Sequence, residues 1–164
     1  MNEALENLIQ ALREELQQYG EMLARLDQQQ EHVTTRAAEA LLQSTAEIEV
    51  QTRVIHEARN ARLARQQDVA RGLGLAGDAA FNDILPNLPG DYRPLVGALV
   101  QENNELLIRV QQRSRQNHVL LCRSVELMSR LLSSLLPAGA TVYTEKGDVL
   151  GAKFPAHAMY QAIG

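Results

Sequence analysis

Few residues of this 164-residue chain have the type and spacing that catalysis requires. Residues 72–77 match the pattern G-x-G-x-x-G, but they follow a helical pattern, whereas dinucleotide binding needs the strand of a βαβ unit before the glycines. His56 and Glu57 begin a metalloprotease-like pattern, yet Asn60 stands where the second histidine would be needed. Neither a dinucleotide site nor a zinc protease site is therefore expected.

The remaining reactive side chains are isolated from one another. The other three histidines lack partners at metal-ligand spacing, and Glu47 and Glu49 point to different sides of a helix. Cys122 lies in a leucine-rich helical stretch, which favours a small packed hydrophobe over a nucleophile. We predict that the chain is not an enzyme and that it binds no cofactor and no metal.

Composition indicates long helices, because only 4% of the residues are aromatic, Trp is absent, and Leu, Ala, Gln, Glu and Arg dominate. The single Cys122 excludes an intramolecular disulfide. No apolar run approaches the roughly 18 residues of a membrane span, and no basic-then-apolar signal opens the sequence. The net charge of −4 argues against nucleic acid as a partner. We predict a cytoplasmic protein without membrane insertion.

The longest helical pattern runs from Tyr92 to Leu136, with Asp91 as its expected N-cap. Up to Val110 its apolar side chains form one stripe, which a single neighbouring helix can cover. Residues 111–118 contain no apolar side chain, and from Val119 onward apolar residues occupy almost every heptad position. One neighbour cannot cover that second part, so it must be surrounded by its own protein, by a second subunit or by a client.

Polar residues interrupt the seam of this helix. With Val96 at position a of a heptad, Asn103, Asn117 and Ser124 occupy further a positions, where a coiled coil prefers Val, Ile or Leu. The adjacent g row carries three arginines that either pair with acids of a neighbouring helix or form a solvated edge: Arg109, Arg123 and Arg130. Residues 1–35 carry seven acids against two arginines, so the first and last helices complement each other in charge.

Two earlier helices are predicted at about 3–32 and 36–72 from apolar residues that recur at threes and fours. The β-branched run 33–35 separates them, and Thr35 is the expected N-cap of the second. Glycines after residue 71 end that helix, and Asp78 is expected to cap a short turn of helix in the connection that follows.

The predicted fold is all-α, an elongated antiparallel bundle of three main helices over residues 1–136. Pro137 and Gly139 break the last helix, and residues 137–164 form a separate tail. Their strand and turn pattern predicts a short β-hairpin, which is marginal in isolation, so the tail is either a docked hairpin or disordered.

Three stretches carry a resemblance to a known family. Residues 3–72 are similar to a Leu-, Gln- and Glu-rich N-terminal helical pair. Residues 114–121 (Ser-Arg-Gln-Asn-His-Val-Leu-Leu) are similar to an Asn-x-x-Asn, Leu-Leu stretch on a last long helix, with Ser114 in place of the first Asn. Residues 141–143 (Thr-Val-Tyr) with Gly147 are similar to a tail tyrosine followed by a glycine turn. Together they resemble the FlgN family of flagellar export chaperones.

The resemblance implies a chaperone that binds the amphipathic C-terminal segment of flagellar hook-associated (hook–filament junction) proteins and delivers them to the flagellar type III export apparatus. The predicted client-binding residues are Asn117, Leu120, Leu121, Ser124, Val125, Met128, Leu131, Leu132 and Leu135. It also implies that Tyr143 helps the chaperone dock on the export gate.

Two alternative roles for the apolar stripe stay open. The stripe belongs to the core of the chain's own bundle, or the protein is a structural coiled coil or adaptor whose stripe is an oligomer seam. A homo-oligomer in the absence of client is compatible with either function. An obligate oligomer should unfold on dilution, whereas a chaperone should persist folded and gain stability from its client.

Overall fold

The computed structural model describes residues 2–135, which form α-helices, one 3-10 helix and loops. The elements in chain order are α1 (Asn2–Thr34), α2 (Ala38–Gly72), α3 (Phe81–Ile84), a 3-10 helix (Leu85–Asn87) and α4 (Arg93–Leu135). The all-α prediction is confirmed for these residues, and three of the four α-helices are long. The predicted tail over 137–164, with its hairpin, lies outside the described residues.

The chain divides into two units, Met1–Ser124 and Val125–Gly164. The first unit contains α1, α2, α3 and the part of α4 up to Ser124. The described part of the second unit is the last stretch of α4, residues 125–135.

α1 and α2 form an antiparallel hairpin in the first unit. The Gln29 amide Nε2 donates to Thr45 Oγ1 at 3.2 Å, and the Gln51 amide donates to Gln18 Oε1 at 2.8 Å. Later residues of α1 therefore meet earlier residues of α2, as the predicted antiparallel order of successive helices requires. α1 supplies most of the buried apolar side chains of this pair, whereas the buried positions of α2 include Ser44, Gln51 and Gln66.

α4 runs parallel to α1 within the first unit. The Asn103 amide donates to the Leu12 carbonyl at 3.0 Å, and the Asn117 amide donates to the Leu26 carbonyl at 2.7 Å. The contact that lies later in α4 also lies later in α1, so the two helices run in the same direction. Because α2 is antiparallel to α1, it ends beside the start of α1, with Val69 packed in the same cluster as Leu5. The connection joins α2 to α4 at that end, so α4 runs in the direction of α1.

The apolar core lies at that end of the bundle, where the first half of α1 meets α4 and the connection. The six largest apolar side chains that are less than 2% exposed are Leu5, Leu8, Leu12, Val69, Ile84 and Val96. They come from α1, α2, α3 and α4, so the core joins all four helices. Leu88 of the connection is also buried in this cluster, which fixes the start of α4.

The predicted helix break at 33–35 is confirmed, since α1 ends at Thr34 and Arg36 adopts a left-handed φ of 56°. The predicted N-cap is wrong: the residue before α2 is Ala37, which makes no side-chain cap bond. Instead the Thr35 hydroxyl donates to the Glu31 carbonyl at 2.8 Å. A β-branched hydroxyl just after the end of a helix satisfies one of its last carbonyls, so Thr35 closes the end of α1 and does not start α2.

The glycine-rich run after α2 is a helix cap, which accounts for its match to a dinucleotide pattern. Gly74 has a φ of +74°, and its N–H donates to the Arg71 carbonyl at 3.0 Å. The Leu75 N–H donates to the Ala70 carbonyl at 2.9 Å. This pair of bonds with a left-handed glycine is the Schellman motif, so the glycine C-cap that the sequence predicts is confirmed.

Two aspartates that the sequence places as N-caps do not cap. The short helix α3 follows Ala80 without a side-chain cap bond, so the role predicted for Asp78 is wrong. At α4 the Val96 N–H donates to the Tyr92 carbonyl, so the cap position falls on Tyr92 and not on Asp91. The connection is held instead by a side chain of α4. Arg93 Nη2 donates to the carbonyls of Pro86 at 2.7 Å and Leu88 at 3.2 Å.

Candidate interaction surface

Large apolar side chains stand exposed along the last turns of α4, in the second unit. Each is more than half exposed, from 56% for Leu132 to 77% for Leu135. The α4 apolar surface consists of Val125, Leu127, Met128, Leu131, Leu132 and Leu135. Contiguous apolar patches of this kind are rare on soluble proteins and mark interaction sites.

The helical positions of these side chains explain why one neighbouring helix does not cover them. Residues at i, i+3 and i+4 share a face, so Met128, Leu131 and Leu132 line one side. Leu135 continues that side by one heptad, and Val125 and Leu127 widen it at its two edges into a band that is broader than a coiled-coil seam. The sequence predicted that this half of the helix is apolar on more than one side, and these apolar side chains are exposed.

In the first unit, α1 and α4 border a shallow apolar groove of about 410 Å³ that is open to solvent along most of its surface. Its lining, which we call the α1–α4 groove, consists of Gln30, Arg115, Gln116, Val119 and Leu120. Leu120 is half-buried, and so is the neighbouring predicted residue Leu121. Both predicted leucines thus retain surface that a partner can contact.

Asn117 and Ser124, the polar members of the predicted site, are placed differently. Asn117 is 1% exposed, and its amide donates to the Leu26 carbonyl at 2.7 Å and to Gln29 Oε1 at 3.0 Å. It holds α4 against α1, and we leave it out of the proposed contact surface. Ser124 is exposed, and its hydroxyl donates to the Leu120 carbonyl at 2.9 Å.

Asn103 and Asn117 explain the polar seam of α4. Asn103 donates to the carbonyls of Leu12 at 3.0 Å and Leu99 at 2.9 Å, and it is 6% exposed. The two asparagines are two heptads apart, and so are the α1 carbonyls of Leu12 and Leu26 that they reach. A buried asparagine at an a position sets the register of packed helices at some cost in stability. The seam therefore fixes one alignment of α4 on α1.

A buried ion pair links α1 to α2. Arg62 Nε lies 2.9 Å from Glu15 Oε2, and the Glu15 side chain is 4% exposed. The Tyr19 hydroxyl donates to the other Glu15 oxygen at 2.9 Å. Arg62 Nη1 donates to Gln66 Oε1 at 2.7 Å, and its guanidinium lies 5.8 Å from the centre of the Phe81 ring. This network was not predicted, because spacing along the chain does not show which charges meet across helices.

Burial and the neighbouring Glu15 carboxylate raise the pKa of Tyr19 from 10.0 to about 12. The folded state holds this proton more tightly than the unfolded state does, so its contribution to stability is complete below pH 10 and is lost as the pH rises toward 12. We expect the unfolding free energy to fall by up to about 2 kcal/mol across that window. Chemical denaturation between pH 9.5 and 12 measures the loss. In Tyr19→Phe this part of the pH dependence should disappear; an unchanged profile would contradict the assignment.

The arginine that bridges α4 to α1 is Arg113. Its Nε lies 2.8 Å from Asp27 Oδ1, and its Nη1 donates to Gln30 Oε1. Of the three predicted g-row arginines, Arg130 pairs with Glu126 of its own helix. Two others, Arg109 and Arg123, are exposed and pair with no acid among residues 2–135, so they form the solvated edge.

Other predicted residues are easily located. Cys122 is exposed, so its predicted role as a packed hydrophobe is wrong; its side of α4 turns away from the half-buried Leu120 and Leu121. Its Sγ lies 3.7 Å from His118 Nε2. Tyr143 lies outside the described residues.

Over the part of the chain that the structure describes, no helix has the length and apolarity of a membrane span.

Five residues of the α4 apolar surface and the α1–α4 groove were missed by the site prediction: Gln30, Arg115, Gln116, Val119 and Leu127. Val119 and Leu127 carry the same apolar signal as their predicted neighbours, and counting every large apolar side chain after residue 118 would have found them. Gln30 comes from α1 and lines the α1–α4 groove, which only the packing of the two helices reveals.

Over residues 2–135 the fold and these surfaces define a class of protein, one built of long helices that presents exposed apolar side chains on its last helix. Comparison with known families agrees, because the family model described as FlgN protein matches residues 1–150. The chain therefore belongs to the FlgN family, which is a family of flagellar export chaperones and not of enzymes. Searches of curated proteins and of solved structures found no match to the chain.

Proposed function

We propose that this chaperone binds the C-terminal amphipathic segment of flagellar hook-associated proteins and delivers them, in the cytoplasm, to the flagellar type III export apparatus. The α4 apolar surface carries the proposal, since its six large side chains are more than half exposed. An amphipathic helix laid against such a surface buries its own apolar stripe, which is helix-in-groove recognition. Leu120 and Leu121 in the first unit are proposed to contribute further contacts.

Magnitudes support a specific complex. Fully burying a Val, Leu or Met side chain contributes about 1.5–3 kcal/mol. Association costs at least about 4 kcal/mol in lost translational and rotational freedom. Covering several of these side chains offsets that cost and leaves a favourable free energy of binding. Met128 adds an unbranched side chain that adapts to related partner surfaces, which suits a chaperone with more than one hook-associated client.

Unfolding measurements separate this function from the structural alternative. A chaperone should keep its unfolding midpoint on dilution and should be stabilised by an added hook-junction C-terminal peptide. At a peptide concentration about 100-fold above Kd, linkage predicts a gain of about 2.7 kcal/mol. A midpoint that falls with dilution and does not respond to the peptide would make the α4 apolar surface an oligomer seam instead.

Tyr143 is proposed to help the loaded chaperone dock on the export gate. The proposal rests on an aromatic residue in a tail that follows the helical bundle in sequence. Tyr143→Ala should weaken binding to the gate and reduce export while leaving client affinity unchanged, and Tyr160→Ala in the same tail is the matched control. Unchanged gate affinity in Tyr143→Ala, measured with the client bound, would remove this role.

A further inference from the structure

We propose that the segment bound at the α1–α4 groove is an amphipathic helix with acidic residues beside its apolar stripe. The inference rests on the proposed function, in which Leu120 contributes client contacts, and adds the charge pattern of the part of the client that lies at the groove. The floor of the groove is apolar at Val119 and Leu120, and Arg115 stands in its lining. A helix seated there therefore meets an apolar strip with a cationic border.

The sequence around the groove concentrates positive charge. Residues 106–125 contain four arginines and no aspartate or glutamate. Arg113 is neutralised by Asp27 at 2.8 Å. The other arginines of this stretch are exposed and lack an ion-pair partner among residues 2–135: Arg109, Arg115 and Arg123. Unpaired charges beside an apolar surface suppress partners of like charge and attract partners of opposite charge.

The spacing of the arginines defines the partner. Arg115, Val119 and Arg123 follow one another at i+4, so they share one face of α4 with the apolar side chain between two cations. Eight residues of helix separate the arginines by about 12 Å along the axis. A partner helix matches this distance with two acidic residues about seven or eight positions apart and apolar residues between them.

Nucleic acid is less well matched to this groove. A phosphate backbone gains nothing from the apolar floor at Val119 and Leu120. Charge and apolarity together therefore favour a protein helix.

Two synthetic helical peptides test the charge pattern on the full chain. They share an apolar stripe of about 20 residues and differ only at two flanking positions, which are Glu in one peptide and Lys in the other. We expect the Glu peptide to bind about tenfold more tightly at low ionic strength, since its two exposed ion pairs, each weak, replace the two repulsions that the Lys peptide meets. Added salt should shrink this preference.

Charge-reversal variants locate the preference. Arg115→Glu with Arg123→Glu should reverse it, whereas Arg53→Glu with Arg65→Glu on α2 makes the same charge change at exposed positions away from the groove and should keep it. Three results would overturn the inference while leaving client binding intact. The two peptides could bind with equal affinity, the two double variants could show the same preference, or single-stranded DNA could displace the Glu peptide. If neither of the two peptides binds and a hook-junction segment does not bind either, both this inference and the proposed function are wrong.

Discussion

Replacing Met128, Leu131 and Leu132 together by serine should weaken client binding by at least about 100-fold. These three side chains are 56–61% exposed and lie on one side of α4, so a bound helix covers them together. Removing a well-buried anchor from an interface costs about 1–2 kcal/mol or more, and three such losses exceed the free energy of a 100-fold change. Calorimetric titration of the variant with a hook-junction C-terminal peptide measures the loss.

The same variant should remain folded, because exposed side chains contribute little to stability and surface substitutions usually change it by less than about 0.5 kcal/mol each. A matched control replaces three other exposed apolar residues by serine, Leu42, Val50 and Ile108, which are 75%, 51% and 52% exposed. Client affinity should be unchanged in the control. Equal losses in the two triple variants would mean that exposed apolarity in general, and not the α4 apolar surface, binds the client.

Replacing Arg62 by methionine should destabilise the fold by about 3–5 kcal/mol, because it leaves the Glu15 carboxylate buried without its counter-ion. The Glu15 side chain is 4% exposed, so water cannot replace the guanidinium. The variant also leaves Gln66 Oε1 without the donor that lies 2.7 Å away in the native protein. Urea denaturation followed by circular dichroism gives the difference in unfolding free energy.

Two further variants isolate the cause of that loss. Arg65→Met removes an exposed arginine whose nearest acid, Asp68, lies 3.7 Å away, and it should cost less than about 1 kcal/mol. Adding Glu15→Leu to Arg62→Met removes the buried charge and should restore most of the stability. If Arg62→Met behaves like Arg65→Met, the buried pair does not hold α1 to α2.

Sequence periodicity predicted the helices well because helix formation depends on neighbours within a turn or two. The break near Thr34, the glycine cap at Gly74 and the start of the long helix near Arg93 are all local events. The sequence also showed that the last helix carries more apolar side chains than one neighbouring helix can cover. Met128 and Leu132 are accordingly exposed.

Contacts between helices were much harder to predict. The sequence shows an asparagine at an a position, but only packing shows that Asn117 reaches the Leu26 carbonyl and is withdrawn from the surface. Similarly, the charge surplus of α1 predicts attraction to α4 without showing that Arg113, and not Arg109 or Arg123, supplies the bridge to α1. Each outcome depends on rotation and register of whole helices, which many residues determine jointly.

Capping was mispredicted for a related reason. Asp78 and Thr35 have side chains that commonly cap helices, but a cap also requires the backbone before the helix to place that side chain over the first N–H groups. In this protein the tight turn through Arg36 and the extended backbone at Ala80 set the helix starts at other residues.

The most direct test of the central claim is calorimetric titration of the full chain with a hook-junction protein, with and without its C-terminal segment. The proposed function predicts saturable binding to the intact client and none to the client that lacks the segment. The isolated segment should bind with nearly the affinity of the intact client. Absence of binding, or equal binding with and without the segment, would contradict the proposal that this chaperone recognises the client's C-terminal helix.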